Sequence, residues 1–483
     1  MVLCGMSCFD KTKRYLIFGT GITGQGMAYF CQKNGLKFSI ADDNNEKLKN
    51  LKNISVDNEY DGNDIENHTI SEEQKIYDYT LEKITEKKID FLLLSPAVHA
   101  QNQPHRIVLI AKQLGIEIVP DIDLLYAYLQ EYNKQNHCDK KIIAITGTNG
   151  KSTTTALVEH ILKYLGKRAV MCGNNALNCL VPDAEKYDFF VVEMSSYNLF
   201  LSQTARFDCG VLLNITEDHL EYHGTMNNYV DAKMKVISKS DDAVFCIDSD
   251  ECKKAEKDLR YNYLIKRSCL VSVGEVLKEG LSWLKNVFYF NAKPIFEGNF
   301  QNLPGKHNVE NILCAVACVY AFEKDFSKIF DAIKSFQGLR HRMQFVRTID
   351  GIDFINDSKG TNADSTQKAL QTYSGEYVYL IAGGQRKSAG FLFLRNDLAS
   401  VRCVFLIGDA TESFAEELDE LGLNYERCRT MDVAIKMAFQ RAKEEKNIDK
   451  KRIVLLSPLC ASWDQYKSFE ERGEDFIKIV NGL

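Results

Sequence analysis

The sequence predicts an α/β protein of three domains, on three observations. Apolar runs of strand length alternate with amphipathic stretches along the whole chain. Two of those runs pass straight into glycine turns that open helices, Gly19-Thr-Gly21-Ile-Thr-Gly24 and Gly147-Thr-Asn-Gly150-Lys151. The 483 residues suffice for about three domains at the usual ~150 each. Repeated strand–helix alternation predicts parallel sheets covered by helices on both faces.

The first segment, 1–139, opens with a strand at Tyr15–Phe18, the first glycine turn, a helix carrying Met27, Ala28, Phe30 and Cys31, and a second strand, Lys37–Ile40, ending at Asp42-Asp43. Strand, glycine turn, helix, strand and acid make a nucleotide-binding βαβ unit of Rossmann type. Polar residues 50–75 read as loops, Phe91–Leu94 is a third strand, and polar residues 130–141 read as a linker.

The second segment, 140–338, begins with the strand Ile142–Ile145 and the second glycine turn. Leu157, Ile161 and Leu165 then recur at helical spacing until Gly166. Strands are expected at Phe189–Val192 and Val211–Ile215, a small β region near Ala243–Cys246 and Val287–Phe290, and a helix after Asn308. The third segment, 339–483, alternates strands at Tyr377–Ala382, Cys403–Ile407 and Ile453–Leu456 with helices such as Met431–Lys446, again of Rossmann type.

Composition narrows the partners. Hydrophobic residues make up 45% and charged residues 26%, an ordinary globular balance. A formal charge of −6 argues against a general nucleic-acid or anionic-membrane surface. The 15 cysteines are odd in number and scattered, several within apolar runs, so reduced thiols in a cytoplasmic protein are expected rather than a disulfide framework. Residues 1–10 show no signal-peptide pattern, and no apolar run reaches the ~18 residues of a membrane span.

The second glycine turn carries the chemistry. Gly147, Thr148, Asn149 and Gly150 form a tight loop at a helix start, where free N–H groups and the helix dipole attract phosphate. Lys151 can reach the β- and γ-phosphates, and Ser152 or Thr153 can offer a hydroxyl to magnesium. The spacing departs from GxxxxGK[ST], since Ile145 stands five residues before Gly150, so this is a variant phosphate loop. Glu193 follows a strand and supplies the oxygen that Mg²⁺ prefers. Asp218-His219 follows the next strand and falls on the same sheet edge.

Gly147-Thr-Asn-Gly-Lys151-Ser-Thr, Glu193-Met-Ser-Ser, Asn214-Ile-Thr-Glu-Asp-His219, Pro304-Gly-Lys-His307-Asn308-Val-Glu-Asn311 and His341-Arg342 together resemble the motifs of the Mur ligase family, in the family's order. Asn356-Asp357-Ser358-Lys359-Gly-Thr361-Asn362 and residues 456–473 resemble its D-glutamate-adding branch. A related tail and glycine turn make the L-alanine-adding branch the nearest alternative.

The resemblance implies an ATP-dependent amide ligase of peptidoglycan precursor synthesis, a cytoplasmic monomer. It would activate an alanyl carboxylate of a UDP-linked muramoyl substrate as an acyl phosphate for attack by D-glutamate. It implies ATP held by Gly147, Thr148, Asn149, Gly150, Lys151, Ser152 and Thr153, completed by Asn308, Asn311, Arg342 and Asp357. Magnesium would be served by Ser152, Glu193, His219 and Lys233, the last matching a family lysine that is carbamylated. Lys151, His219 and Lys233 are then the catalytic set. Ile22, Thr23, Asp42, Asp43, Ser95 and Asn174 match the UDP-substrate positions, and Thr361, Lys387, Ser462 and the N–H groups near Phe469 match the D-glutamate positions. Two departures stand out. Gly384-Gln-Arg-Lys387-Ser-Ala-Gly390 lacks the family's flanking acids, and Asp43-Asn44 replace a Thr-Arg pair.

Two other classes remain open from residues alone. Gly19-x-Gly21-x-x-Gly24 with Asp42 also suits a nicotinamide-dependent oxidoreductase. A non-catalytic nucleotide-binding scaffold would lack one or more of Lys151, Glu193, Lys233 and His219, all of which are present.

Overall fold

The computed structural model describes residues 8–54, 68–174, 177–300, 302–386, 389–445 and 449–483. They form two compact units, Met1–Asn299 with Lys306–Ser335, and Phe300–Gly305 with Phe336–Leu483.

The larger unit carries two main sheets and a small antiparallel pair, Asn53–Ile54 with His68–Thr69. Five parallel strands stand in the order Lys75–Ile76, Lys37–Ala41, Arg14–Phe18, Phe91–Leu94, Glu117–Val119. The first strand lies centrally, so the glycine turn after Phe18 opens at the point where strand order reverses. The second sheet runs Lys293–Glu297, Val287–Phe290, Leu281–Leu284, Cys269–Ser272, Ser240–Cys246, Phe207–Leu212, Lys141–Thr146, Phe189–Glu193, Ala169–Gly173. It is parallel from Ala169–Gly173 through Leu281–Leu284, and only the outer two pairings are antiparallel. The inner strands are buried on both faces, as their continuous apolar sequences require.

Two expectations shift. The strand expected at Val211–Ile215 occupies Phe207–Leu212. Asp208 interrupts the apolar run, yet its carboxylate accepts Ile142 N at 2.9 Å and pairs with Lys141 at 3.0 Å, which lets the strand start early. Ala243–Cys246, read as part of a small β region, belongs to a main-sheet strand parallel to Phe207–Leu212. Periodicity reveals a strand but not its partner.

The two sheets of this unit share one apolar core, in which Tyr15, Ile17 and Phe91 of the first join Ile142, Val170 and Phe190 of the second. Polar bonds reinforce it from the helix Asp121–Asn136. Buried Asp123 accepts Ser202 Oγ at 2.6 Å and the N–H groups of Gln203, Thr204 and Ala205 at 2.7, 3.0 and 3.0 Å. Asp121 accepts the side-chain amides of Asn178 and Asn198 at 3.1 and 3.3 Å.

The smaller unit is one six-stranded sheet in the order Gln344–Ile349, Ile352–Asn356, Arg452–Leu456, Tyr377–Gly383, Val401–Ile407, Tyr425–Arg429. It is parallel except for its antiparallel edge strand Gln344–Ile349. Separate apolar clusters fill its two faces, around Leu380 and Phe414 on one and Phe354 and Ile435 on the other. The whole is α/β with predominantly parallel sheets. Among the described residues no helix is long and apolar enough to cross a membrane, and the fourteen described cysteines are free thiols.

Candidate active site

The variant phosphate loop leaves Lys141–Thr146 at its carboxyl end and enters the helix Lys151–Tyr164. Gly150 must be glycine for two reasons. Its φ is +85°, and a Cβ there would stand 2.2 Å from Asn311 Oδ1. That approach brings the helix Lys306–Tyr320 onto the loop, where Asn311 donates to Asn308 Oδ1 at 3.2 Å. Asn214 holds the other side, its Oδ1 accepting Asn149 N at 2.9 Å. Thr148 Oγ1 accepts Thr216 N at 3.0 Å and lies 3.0 Å from Tyr229 Oη. The loop is shaped in advance for an anion.

Lys151 Nζ donates to the carbonyls of Gly147 and Thr148 at 3.0 and 2.9 Å. Lys233, on the helix Met226–Ser238, donates to the same Gly147 carbonyl at 2.8 Å and lies 4.8 Å from the Tyr229 ring centroid. Burial, with Lys151 nearby, drives the Lys233 amine well below its ordinary range. A neutral buried amine is a nucleophile, and as an ammonium it could not bind a cation.

Glu193 ends its strand fully buried, level with Ile145 at the loop's start, and Ser152 and Thr153 are buried in the first helical turn. His219 follows at φ 53°, with Tyr197 Oη 2.7 Å from Nδ1. Its Nε2 faces the Asp218 carboxylate at 3.4 Å, and Nδ1 also lies 3.5 Å from Glu221 Oε1. His219 is linked to the loop through Tyr229, whose ring centroid is 6.5 Å away. Hydroxyl, carboxylate and imidazole donors at one sheet edge fit a hard divalent cation once Lys233 contributes oxygen rather than charge.

At the first glycine turn, a Cβ on Gly24 would sit 1.9 Å from Gly19 O, so the helix Ile22–Lys33 starts tightly against the turn. Ile22, exposed, and Thr23, half-buried, are its first residues. Asp42 is engaged within the turn. It accepts Thr20 N and Thr20 Oγ1, both at 2.7 Å, and Asn44 N at 2.8 Å, and these bonds hold its carboxyl below the usual range against the effect of burial. Asp43 pairs with Tyr79 and, at 3.0 Å, with His105 Nε2. Ser95 packs beside Gly19, and Asn174 lies in an exposed turn whose N–H donates to Glu193 O at 3.0 Å.

In the smaller unit the residues matched to nucleotide and amino acid gather at the carboxyl ends of adjacent strands. Asp357 accepts Ser457 Oγ at 2.8 Å and Met343 N at 3.1 Å, and burial pushes its carboxyl up to about 6 despite those bonds and the nearby Arg342 and Arg472. Ser358 Oγ donates to Phe469 O at 2.8 Å. Thr361 closes a turn on Lys359 O at 2.8 Å. Ser462 Oγ is buried without a hydrogen-bond partner, as suits a hydroxyl kept for a ligand. Lys387 lies outside the described residues. Sequence reasoning missed Arg472, which ties the two loops together by donating to Ser358 Oγ, Ser358 O and Cys460 O at 3.0, 2.9 and 3.1 Å. It also missed Tyr197, Tyr229 and Asp123, whose partners are remote in sequence.

These features define an α/β protein with a variant phosphate loop at the carboxyl edge of a parallel sheet. Profiles described as Mur ligase middle domain and as Mur ligase, glutamate ligase domain match residues 145–319 and 341–459. The chain is 34% identical to the UDP-N-acetylmuramoylalanine--D-glutamate ligase of Caldicellulosiruptor bescii, covering 98% of each chain. It is 38% identical to the enzyme of that name from Paramagnetospirillum magneticum, over 82% of this chain and 85% of the relative. The solved UDP-N-acetylmuramate-alanine ligase of Thermotoga maritima has the same fold, with TM-score 0.55 at 18% identity over 97% and 99% of the two chains. This chain belongs to the Mur ligase family.

Proposed function

We propose that the chain joins D-glutamate to UDP-N-acetylmuramoyl-L-alanine with ATP, as a cytoplasmic monomer of three functional domains, 1–139, 140–338 and 339–483. The observation that carries this reading is the match to D-glutamate ligases along both the loop-bearing and the carboxyl-terminal parts of the chain. A carboxylate oxygen of the alanyl group attacks the γ-phosphorus and ADP leaves. The D-glutamate nitrogen then attacks the acyl carbon, loses a proton, and inorganic phosphate departs from the tetrahedral centre.

Catalysis here is positioning and charge stabilisation. The loop N–H groups and Lys151 hold the phosphates, and Asn308 and Asn311 flank the loop; Arg342 and Asp357 match the family's nucleotide positions. Magnesium, when bound by Ser152, Glu193, His219 and a carbamate on Lys233, supplies neutralisation of phosphate charge. The depressed Lys233 amine supports that carbamate, because CO₂ reacts with a neutral amine. Ile22, Thr23, Asp42, Asp43, Ser95 and Asn174 serve the UDP portion. Thr361, Lys387, Ser462 and the backbone at Phe469 receive the amino acid's two carboxylates.

Phosphate release with UDP-N-acetylmuramoyl-L-alanine and a panel of D- and L-amino acids tests the reading. Release with D-glutamate alone is expected. Release with another amino acid, or with UDP-N-acetylmuramate and L-alanine, would move the chain to another branch.

A further inference from the structure

Beside the phosphate loop, on its own set of side chains, lies a second cluster of donors. Cys246 ends the strand Ser240–Cys246, Asp248 follows it, and Glu310 and Cys314 project one turn apart from the helix Lys306–Tyr320. The donor atoms of Cys246, Asp248 and Glu310 all lie within 4.8 Å of one another. Cys246 Sγ is 3.4 Å from Glu310 Oε1 and 3.7 Å from Asp248 Oδ2, with the Cys314 thiol nearby. We propose that Cys246, Asp248 and Glu310 form a binding site for one thiophilic divalent cation, of the zinc or cadmium class, separate from the magnesium donors.

Geometry supports it first. Zinc–sulfur and zinc–oxygen bonds of about 2.3 and 2.1 Å at tetrahedral angles place sulfur and oxygen about 3.6 Å apart. The two separations here bracket that value, so an ion fits with little movement. The donor set is one sulfur and two oxygens, with an outer position open to water, and the thiolate favours zinc and cadmium over magnesium or calcium.

The surroundings support it next. Both thiols are fully buried, whereas Asp248 and Glu310 are partly exposed, so the site has a closed inner side and an open outer one. Outer bonds already orient the carboxylates. Asp248 accepts Ser272 Oγ and Val273 N, both at 2.7 Å, and Glu310 bonds the Asn214 side chain. Burial, with Asp248 adding to it, pushes the Glu310 carboxyl up to about 7. A cation between the two acids relieves that repulsion. Asn214 also holds Asn149 N at 2.9 Å, so the site adjoins the nucleotide loop through one side chain.

The test uses the full chain, reduced with a phosphine and stripped with a chelator, titrated with Cd²⁺ alone. Thiolate-to-cadmium charge-transfer absorbance reports binding, and Zn²⁺ competition reports affinity. Wild type is expected to bind one ion that Cys246→Ser removes, with a tenfold or greater loss of affinity in Glu310→Gln. Ser272→Ala, which removes a bond that orients Asp248, should weaken binding about 10- to 100-fold. Thermal melts of the metal-free variants confirm folding, and Glu310→Gln and Ser272→Ala carry the test if a cysteine variant is unfolded. Unchanged absorbance and stoichiometry in folded Cys246→Ser, or in both carboxylate-side variants, would overturn the proposal.

Discussion

Lys233 shows how little of a residue's role is written at its own position. In Tyr229-Val-Asp-Ala-Lys233 it has the look of a solvated helix lysine, yet it is buried and bonded to the phosphate loop. Its neutral amine is the reactive form toward CO₂. Lys233→Ala should therefore abolish phosphate release, and a short carboxylate such as formate or acetate should restore part of it. An active Lys233→Ala enzyme would remove the carbamate. His223 makes a second case. Fully buried, it bonds Gln101 Oε1 at 2.7 Å and Ser196 Oγ at 2.9 Å, and burial pushes its imidazole down to about 4. The unfolded chain takes up this proton near 6.5 and the folded chain only near 4, so the stability is present in full above pH 6.5 and is lost as pH falls toward 4. The loss is at most on the order of 3 kcal/mol. Unfolding midpoints from pH 7 to 4 should fall less steeply in His223→Gln, and parallel slopes would show that His223 does not titrate in this way.

At the scale of elements, the glycine turns and inner strands were legible because their signals are local. A strand buried on both faces must be continuously apolar, and a phosphate loop must put glycine where Asn311 approaches. What joins elements was not legible. Asp121-Ile-Asp123 has the pattern of acids at a helix start, which ordinarily face water. Asp123 instead accepts four hydrogen bonds from Ser202 to Ala205, about eighty residues later in the chain. Likewise Arg472 reads as a charged face of the last helix but is almost wholly buried, and burial lowers its guanidinium to about 10. Asp123→Ala leaves three backbone N–H groups without their acceptor, each costing about 1–3 kcal/mol when buried. A stability loss of about 3 kcal/mol or more is expected in denaturant unfolding of the first transition. A change below 1 kcal/mol would mean that water replaces the carboxylate and that the apolar core alone unites the two sheets.

For the molecule as a whole, counting glycine turns and chain length led to three segments, whereas compactness divides the chain in two. The difference has a physical source. Segments are recognised by their strands and turns, but a folding unit is defined by who shares a core, and Tyr15, Ile17, Ile142 and Phe190 share one. The smaller unit keeps its own clusters on the two faces of its own sheet. Two calorimetric transitions are therefore expected rather than three. Unfolding enthalpy scales with residue number at about 0.7 kcal/mol per residue, and the larger unit has roughly twice the residues of the smaller, so its transition should carry roughly twice the heat. Asp123→Ala provides the assignment, because it should lower that larger transition and leave the smaller at its wild-type temperature. A third transition, or separate melting of residues 1–139, would show that Asp123 and the shared core do not bind the first two sheets into one cooperative unit.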